Sequence, residues 1–217
     1  MKPVVVGLLI FGVAIGVVLV FAQAPFAASA FEYQQYREYK GVLIDWPYPI
    51  LIAGADRFLL VDPGKHGAST NGLTGKTVEL KGALIHRGTD HMLELLPGSL
   101  RAVADSGPSE TRLELGEMTL TGEIVDSKCH LGVMNPGQGK VHRDCAARCI
   151  SGGIPPAFSV RDASGESHTL LLVGDDGRKL NHEILDYVAE PLRISGRLAR
   201  FGPTLVFSAD LRTVHRE

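Results

Sequence analysis

At 217 residues, with 45% apolar residues and a formal charge of -2, the chain can bury one ordinary core or two small ones, and it lacks the basic surplus that nucleic-acid binding requires. Aromatic residues make up only 6% and include one tryptophan, which leaves little for recognition by stacked bases. The 25 glycines and 12 prolines, set between short valine- and leucine-rich runs, point to β structure with many turns.

Met1 and Lys2 precede an uncharged apolar run from Pro3 to Ala22, long enough as a helix to cross a bilayer core of roughly 30 Å. Residues 1–30 are therefore expected to be either a membrane anchor or a signal peptide. Ala28-Ser29-Ala30 fits the small-x-small cleavage pattern, but an apolar core of about 20 residues exceeds the usual ~7–15 of a signal peptide and favours an uncleaved anchor. Membrane lipid is then the first expected partner. Lys2 and the amino terminus form the positive end, which places the body outside the cytoplasm. No twin arginine is present, so the chain would be exported unfolded and acquire any cofactor outside. That disfavours an iron–sulfur cluster and leaves zinc, copper or a disulfide as the fates of the thiols. The next stretch, FEYQQYREYK at 31–40, spaces Tyr33, Tyr36 and Tyr39 by three. It reads either as a short interfacial helix or as a linker whose tyrosines pack on the domain that follows.

The body carries an internal duplication. In the first copy KGVLID leads to PYPILI, FLLV, a DPGKHG turn, GKTVELKGALIHRG, MLEL and RAV. In the second, TGEIVD leads to PPAFSV, TLLLV, a DDGRKL turn, AEPLRISGRLARFG, TLVF and RTV. Gly41 matches Gly122, Asp45 matches Asp126, Gly82 matches Gly196 and Gly88 matches Gly202. Each copy holds about five strand-like runs, which suits a small Greek-key barrel. VELKGALI and LRISGRLA alternate around a central glycine, as a strand bent at a barrel corner does. HEILDY, from His182 to Tyr187, is expected as the short helix between the third and fourth strands of the second copy. The expectation is a mainly β protein of two tandem OB-like barrels, 31–104 and 119–217, joined by a linker at 105–118 around DSGPSE.

The copies differ most at one place. The first passes from Asp45 through Trp46 to Pro47, whereas the second inserts residues 126–153, DSKCHLGVMNPGQGKVHRDCAARCISGG, with all three cysteines of the chain. A long loop grafted on a small barrel is more often functional than structural. If VHRDCAARCI is helical, His142, Cys145 and Cys149 share one face. Asn135-Pro136-Gly137 and Gly139 allow the preceding loop to fold back and deliver Cys129. Gly152 and Gly153 stop the helix, and Pro155-Pro156 prevents its resumption. Cys129, His142, Cys145 and Cys149 would make the four ligands of a closed zinc site, with His130 as a spare ligand and Asp126 or Asp144 to orient an imidazole. A CxxxC pair beside histidine suits copper as well. Two other fates stay open: a disulfide from Cys129 to Cys145 or Cys149, leaving one free thiol, or thiol redox chemistry. No CxxCH, CxxC, GxSxG or HExxH occurs. His66, His86 and His91 read as solvated.

GEIVDSKCHLG followed by HRDCAARCISGGIPP resembles a family of small exported bacterial domains of unknown function, with a pattern like DxxC, a glycine-rich loop, HxxCAxxC and GxP. The similarity runs from about Leu120 to Val214 and falls on Cys129, His142, Cys145 and Cys149. It implies an extracytoplasmic β domain with those four residues acting as one site; together with the N-terminal apolar run, the body is expected in the periplasm, held at the bacterial inner membrane, or secreted there if cleaved after Ala30. The expected function is that of a zinc- or copper-binding accessory protein supporting a membrane redox complex. A disulfide-stapled structural subunit and a thiol oxidoreductase are the alternatives.

Overall fold

The computed structural model of the chain describes residues 2–22, 29–105 and 112–217. Helix α1 spans Lys2–Ala22. At 1.5 Å per residue its apolar part, Pro3–Ala22, is about 30 Å long. None of that part is buried against the rest of the protein, as suits a signal anchor or a single-pass helix. Ala28, the first residue of the cleavage pattern, lies outside the described residues.

Twelve strands follow among the described residues: β1 Ser29–Asp45, β2 Pro49–Ala53, β3 Asp56–Val61, β4 Thr77–Arg87, β5 Asp90–Leu95, β6 Arg101–Ala104, β7 Leu113–Asp126, β8 Pro156–Arg161, β9 Ser167–Gly174, β10 Pro191–Phe201, β11 Thr204–Ala209 and β12 His215–Arg216. The first six form a ring in the order β1-β2-β3-β5-β4, closed by β1 against β4, with β6 added to β4. The second six repeat it as β7-β8-β9-β11-β10, closed by β10 against β7, with β12 added to β10. The β3–β5 and β9–β11 pairs are parallel and the other pairs are antiparallel. These are the two OB-like barrels that the duplication predicts.

The matched pair Gly41 and Gly122 has a shared mechanical cause. A Cβ on Gly41 would lie 2.1 Å from the carbonyl oxygen of Ile52, and one on Gly122 2.3 Å from that of Ser159, so only glycine lets the neighbouring strand close in. Asp45 pairs with Pro49 and Asp126 with Pro156, so the inserted residues enter at the same point of the second barrel that the first crosses by a short turn.

Three local expectations change. FEYQQYREYK is neither an interfacial helix nor a linker but part of β1, paired with β4 from Tyr36↔Ala83 to Lys40↔Glu79. A bulge between Phe31 and Tyr36, with Gln34 at φ 61°, breaks the alternation there, and Tyr39 packs edge-on against Phe58 at 5.2 Å. Strand pairing with an eleven-residue partner overrides the local tyrosine spacing. Strand β7 begins at Leu113, inside the stretch expected as linker, because it pairs with β10 as far as Arg200. HEILDY forms only a 3-10 turn at Leu185–Tyr187, with Ile184 and Val188 buried on either side.

The barrels pack against each other through strands that are apolar on both faces. Leu51, Phe58 and Leu60 point into the first barrel with Leu43, Leu80 and Leu93. Their neighbours Ile50, Ile52, Leu59 and Val61 join Leu171, Val173, Phe201 and Val206 of the second barrel in a shared core. Leu170 and Leu172 fill the second barrel with Phe158 and Phe207, whose rings stack at 5.8 Å. A period of two thus sends alternate residues of one strand into two different cores, which explains the uninterrupted runs PILI, FLLV and TLLLV. Tyr48, fully buried, seals the junction by accepting a hydrogen bond from the Leu180 amide at 3.1 Å.

Candidate metal centre

Residues 127–155 connect β7 to β8 at the edge of the shared core. The buried carboxylate of Asp126 organises the entry. One oxygen accepts from the Cys129 amide at 2.8 Å and the other lies 3.0 Å from Nε2 of His142. A π turn at Cys129–Val133 follows. A Cβ on Gly137 would lie 2.4 Å from the Cys129 carbonyl oxygen, so the turn-forming residues do fold the loop back onto Cys129. A 3-10 turn at Lys140–His142 leads into helix α2, Arg143–Ser151, with Asp144 in its first turn where the helix dipole favours an anion. Helix α2 ends as its glycines dictate: Gly153 takes φ 100°, and the Gly152, Gly153 and Ile154 amides donate to the carbonyls of Arg148, Ile150 and Cys149.

This path brings the sulfurs of Cys129, Cys145 and Cys149 within 4.8 Å of one another. Cys145 and Cys149 stand one turn apart on α2, and Cys129 comes from the π turn. All three are free thiols; Cys129 and Cys149 are buried and Cys145 is partly exposed. The Cys129 thiol donates to the Cys149 sulfur, and this hydrogen bond, with burial and the Asp126 charge, raises the affinity of Cys129 for its proton. Receiving that bond, and a second contact from Lys65, pushes the Cys149 thiol below the usual range.

The first barrel supplies the remaining wall. Nζ of Lys65 lies 3.0 Å from Sγ of Cys145 and 3.3 Å from Sγ of Cys149. Its ammonium is held in the charged form, first by the bond to Cys145 and against the opposing effect of burial. Lys65 sits in the DPGKHG turn between β3 and β4, and that turn is clasped by the inserted loop. Lys128 donates to the carbonyls of Asp62 at 3.0 Å and Gly64 at 2.7 Å and pairs with Glu94 at 2.6 Å. The Gly67 amide donates to the Gly152 carbonyl at 3.0 Å. A Cβ on Gly152 would come within 1.9 Å of the Lys65 carbonyl oxygen, so backbone touches backbone here.

The donor set fits a soft ion. Three thiolates bound to zinc at about 2.3 Å stand roughly 3.8 Å apart in a tetrahedron, so the observed sulfurs need to close by less than about 1 Å. His142, expected as the fourth ligand, is not in this group. It belongs to a second group with Asp126 and Cys129, sharing only Cys129 with the sulfurs, because the strand-end carboxylate holds its ring. His130, expected as a spare ligand, belongs to neither group. It is fully buried, neither ring nitrogen has a partner, and burial with the nearby Arg87 and His142 charges pushes its imidazole down to about 3. Asp126 is thus the orienting carboxylate, and Asp144 is exposed.

Among the described residues His66, His86 and His91 belong to no group of three metal-ligating side chains. His66 is exposed, and His86 and His91 stand 6.4 Å apart with His91 stacked on Phe58. Asp162, Glu166 and His168 make a solvent-facing group in which Asp162 accepts from the Ser164 and Glu166 amides of its own turn. Compared with protein-family models, curated proteins and solved structures, the chain matches none. Lys65, Lys128 and Glu94 are the site residues that sequence reasoning missed. Only the packing of one barrel on the other brings Lys65 to the thiols and Glu94 to Lys128.

Proposed function

We propose that the chain is a membrane-tethered accessory protein whose exported body holds one soft metal ion, zinc or copper, on Cys129, Cys145 and Cys149. The observation that carries this reading is the convergence of three sulfurs from two separate turns within 4.8 Å. Thiolates select such ions over calcium or magnesium. Two of the sulfurs are buried, which suits retention or delivery of an ion better than turnover of a substrate. Helix α1 supports the tether, and its positive end, Lys2, supports a body outside the cytoplasm, at the inner membrane of a bacterium. Service to a membrane redox complex is the task that this location and the thiol set suit best.

The Cys129–Cys149 hydrogen bond favours one second reading, a disulfide or dithiol couple between those two residues. Metal analysis and thiol titration of the full chain, purified from membranes without added metal, separate the readings. One ion per chain with three protected thiols supports the centre. No metal, with one titratable thiol, supports the couple.

A further inference from the structure

Resting on the three-thiolate reading, we propose that the site is built for monovalent copper in three-coordinate sulfur ligation, with the Lys65 ammonium of the first barrel as the charge partner of the copper–thiolate unit.

The first support is the ligand count. Among the described residues no histidine, aspartate or glutamate joins the sulfur group, and the imidazole nearest to it, His142, is engaged by Asp126. Zinc held by three protein ligands needs a fourth donor from solvent. Cu(I) is satisfied by three thiolates, the softest donors that the protein offers. Each sulfur that enters the bond releases its proton, and the copper keeps its oxidation state.

The second support is charge. Three thiolates leave a Cu(I) unit with a net charge of -2 and a Zn(II) unit with -1, counting unit charges alone. Two sulfurs of the set are already within 3.0 and 3.3 Å of one ammonium. Starting from three neutral thiols in the metal-free site, that ammonium contributes by Coulomb's law about twice as much free energy to forming the doubly charged unit as to forming the singly charged one, so its loss weakens Cu(I) by about the square of the factor for Zn(II).

The third support is that the ammonium is placed by construction. The Lys65 backbone is pressed against Gly152, and Lys128 holds the carbonyls of Asp62 and Gly64 in the same turn. The first barrel, which carries no cysteine, would thereby complete the centre of the second.

The test uses the full chain in detergent, reduced and metal-free, titrated with Cu(I) against a competing chelator and separately with Zn(II). The wild type, Lys65→Met and Lys65→Gln are compared, and X-ray absorption is recorded on the copper form. The expected result is one Cu(I) with three sulfur neighbours and no nitrogen or oxygen. On loss of the ammonium, Zn(II) affinity falls on the order of tenfold and Cu(I) affinity on the order of a hundredfold. Equal losses for both metals in both variants, or no loss, overturn the role of Lys65 while leaving the three-thiolate centre standing. A fourth light-atom neighbour on copper overturns the three-coordinate assignment. A wild type that takes up neither metal overturns this proposal and the metal centre together.

Discussion

Lys128, in the loop inserted into the second barrel, forms an ion pair at 2.6 Å with Glu94 of the first barrel, and the two side chains are only 3% and 7% exposed. The pair ties the two barrels together beside their shared apolar core. Removing one partner leaves the other charge buried and unpaired, an effect of roughly 3–5 kcal/mol. Urea unfolding is expected to show Glu94→Leu and Lys128→Met each destabilised by about that much. The double variant is expected to recover most of the loss, though Lys128 also satisfies two carbonyls that would then need solvent.

The close approach of Gly152 to Lys65 predicts a more local defect. Gly152→Ala places a carbon 1.9 Å from a carbonyl oxygen, and the two loops must part. The expected outcome is a loss of roughly 1–3 kcal/mol, with faster modification of Cys145 by a thiol reagent as the DPGKHG turn lifts away. Unchanged stability and unchanged reactivity would show that the turn does not cover the thiols.

In the proposed three-sulfur centre His142 braces Asp126, which accepts from the Cys129 amide, so His142→Gln is expected to keep one metal ion per chain while affinity falls by about 10–100-fold. Cys129→Ser, Cys145→Ser and Cys149→Ser are each expected to lose the ion or hold it far more weakly. Competition titrations with a metallochromic chelator read both quantities. A histidine variant that loses all metal would make the imidazole a ligand after all.

Much of this arrangement is written in the chain. The glycines at 41, 122 and 196 mark close strand approaches, and the duplication they frame gives both barrels. The thiol cluster is legible because CxxxC on a helix and a turn-rich loop are local features. The carboxylate beside His142 was legible as one of two candidates, Asp126 and Asp144, and the position of Asp126 at the end of β7 decides between them. The contribution of the first barrel was not legible. Lys65 and Glu94 lie far from the inserted loop in sequence and reach the thiols and Lys128 respectively only because the barrels pack together. The runs PILI and TLLLV did hold the signal for that packing, since strands apolar at every position are buried on both faces, but an isolated barrel needs only alternation. FEYQQYREYK was misread because its pairing with β4 is non-local.

Asp90 gives the junction a pH dependence. Burial raises its carboxyl to about 6, against contacts with Thr169, Arg87 and His168 that act the other way. The folded value exceeds the unfolded one, so its contribution to stability is fully present below about pH 4 and is lost as pH rises through about 6. Asp90→Asn is expected to be more stable than the wild type at pH 7 by up to roughly 2–3 kcal/mol, with the difference vanishing near pH 4. Chemical denaturation at several pH values measures it. A difference that does not change with pH would remove Asp90 as the cause.

The central claim is that three sulfurs share one ion. Native mass spectrometry of the full chain, exported and purified without added metal, reads both the mass of any bound ion and the oxidation state of the cysteines. The account predicts one zinc or copper ion per chain, released together with the exposure of three thiols on acidification. A chain that carries no metal and is two hydrogens lighter, with Cys129 joined to Cys145 or Cys149, would contradict it.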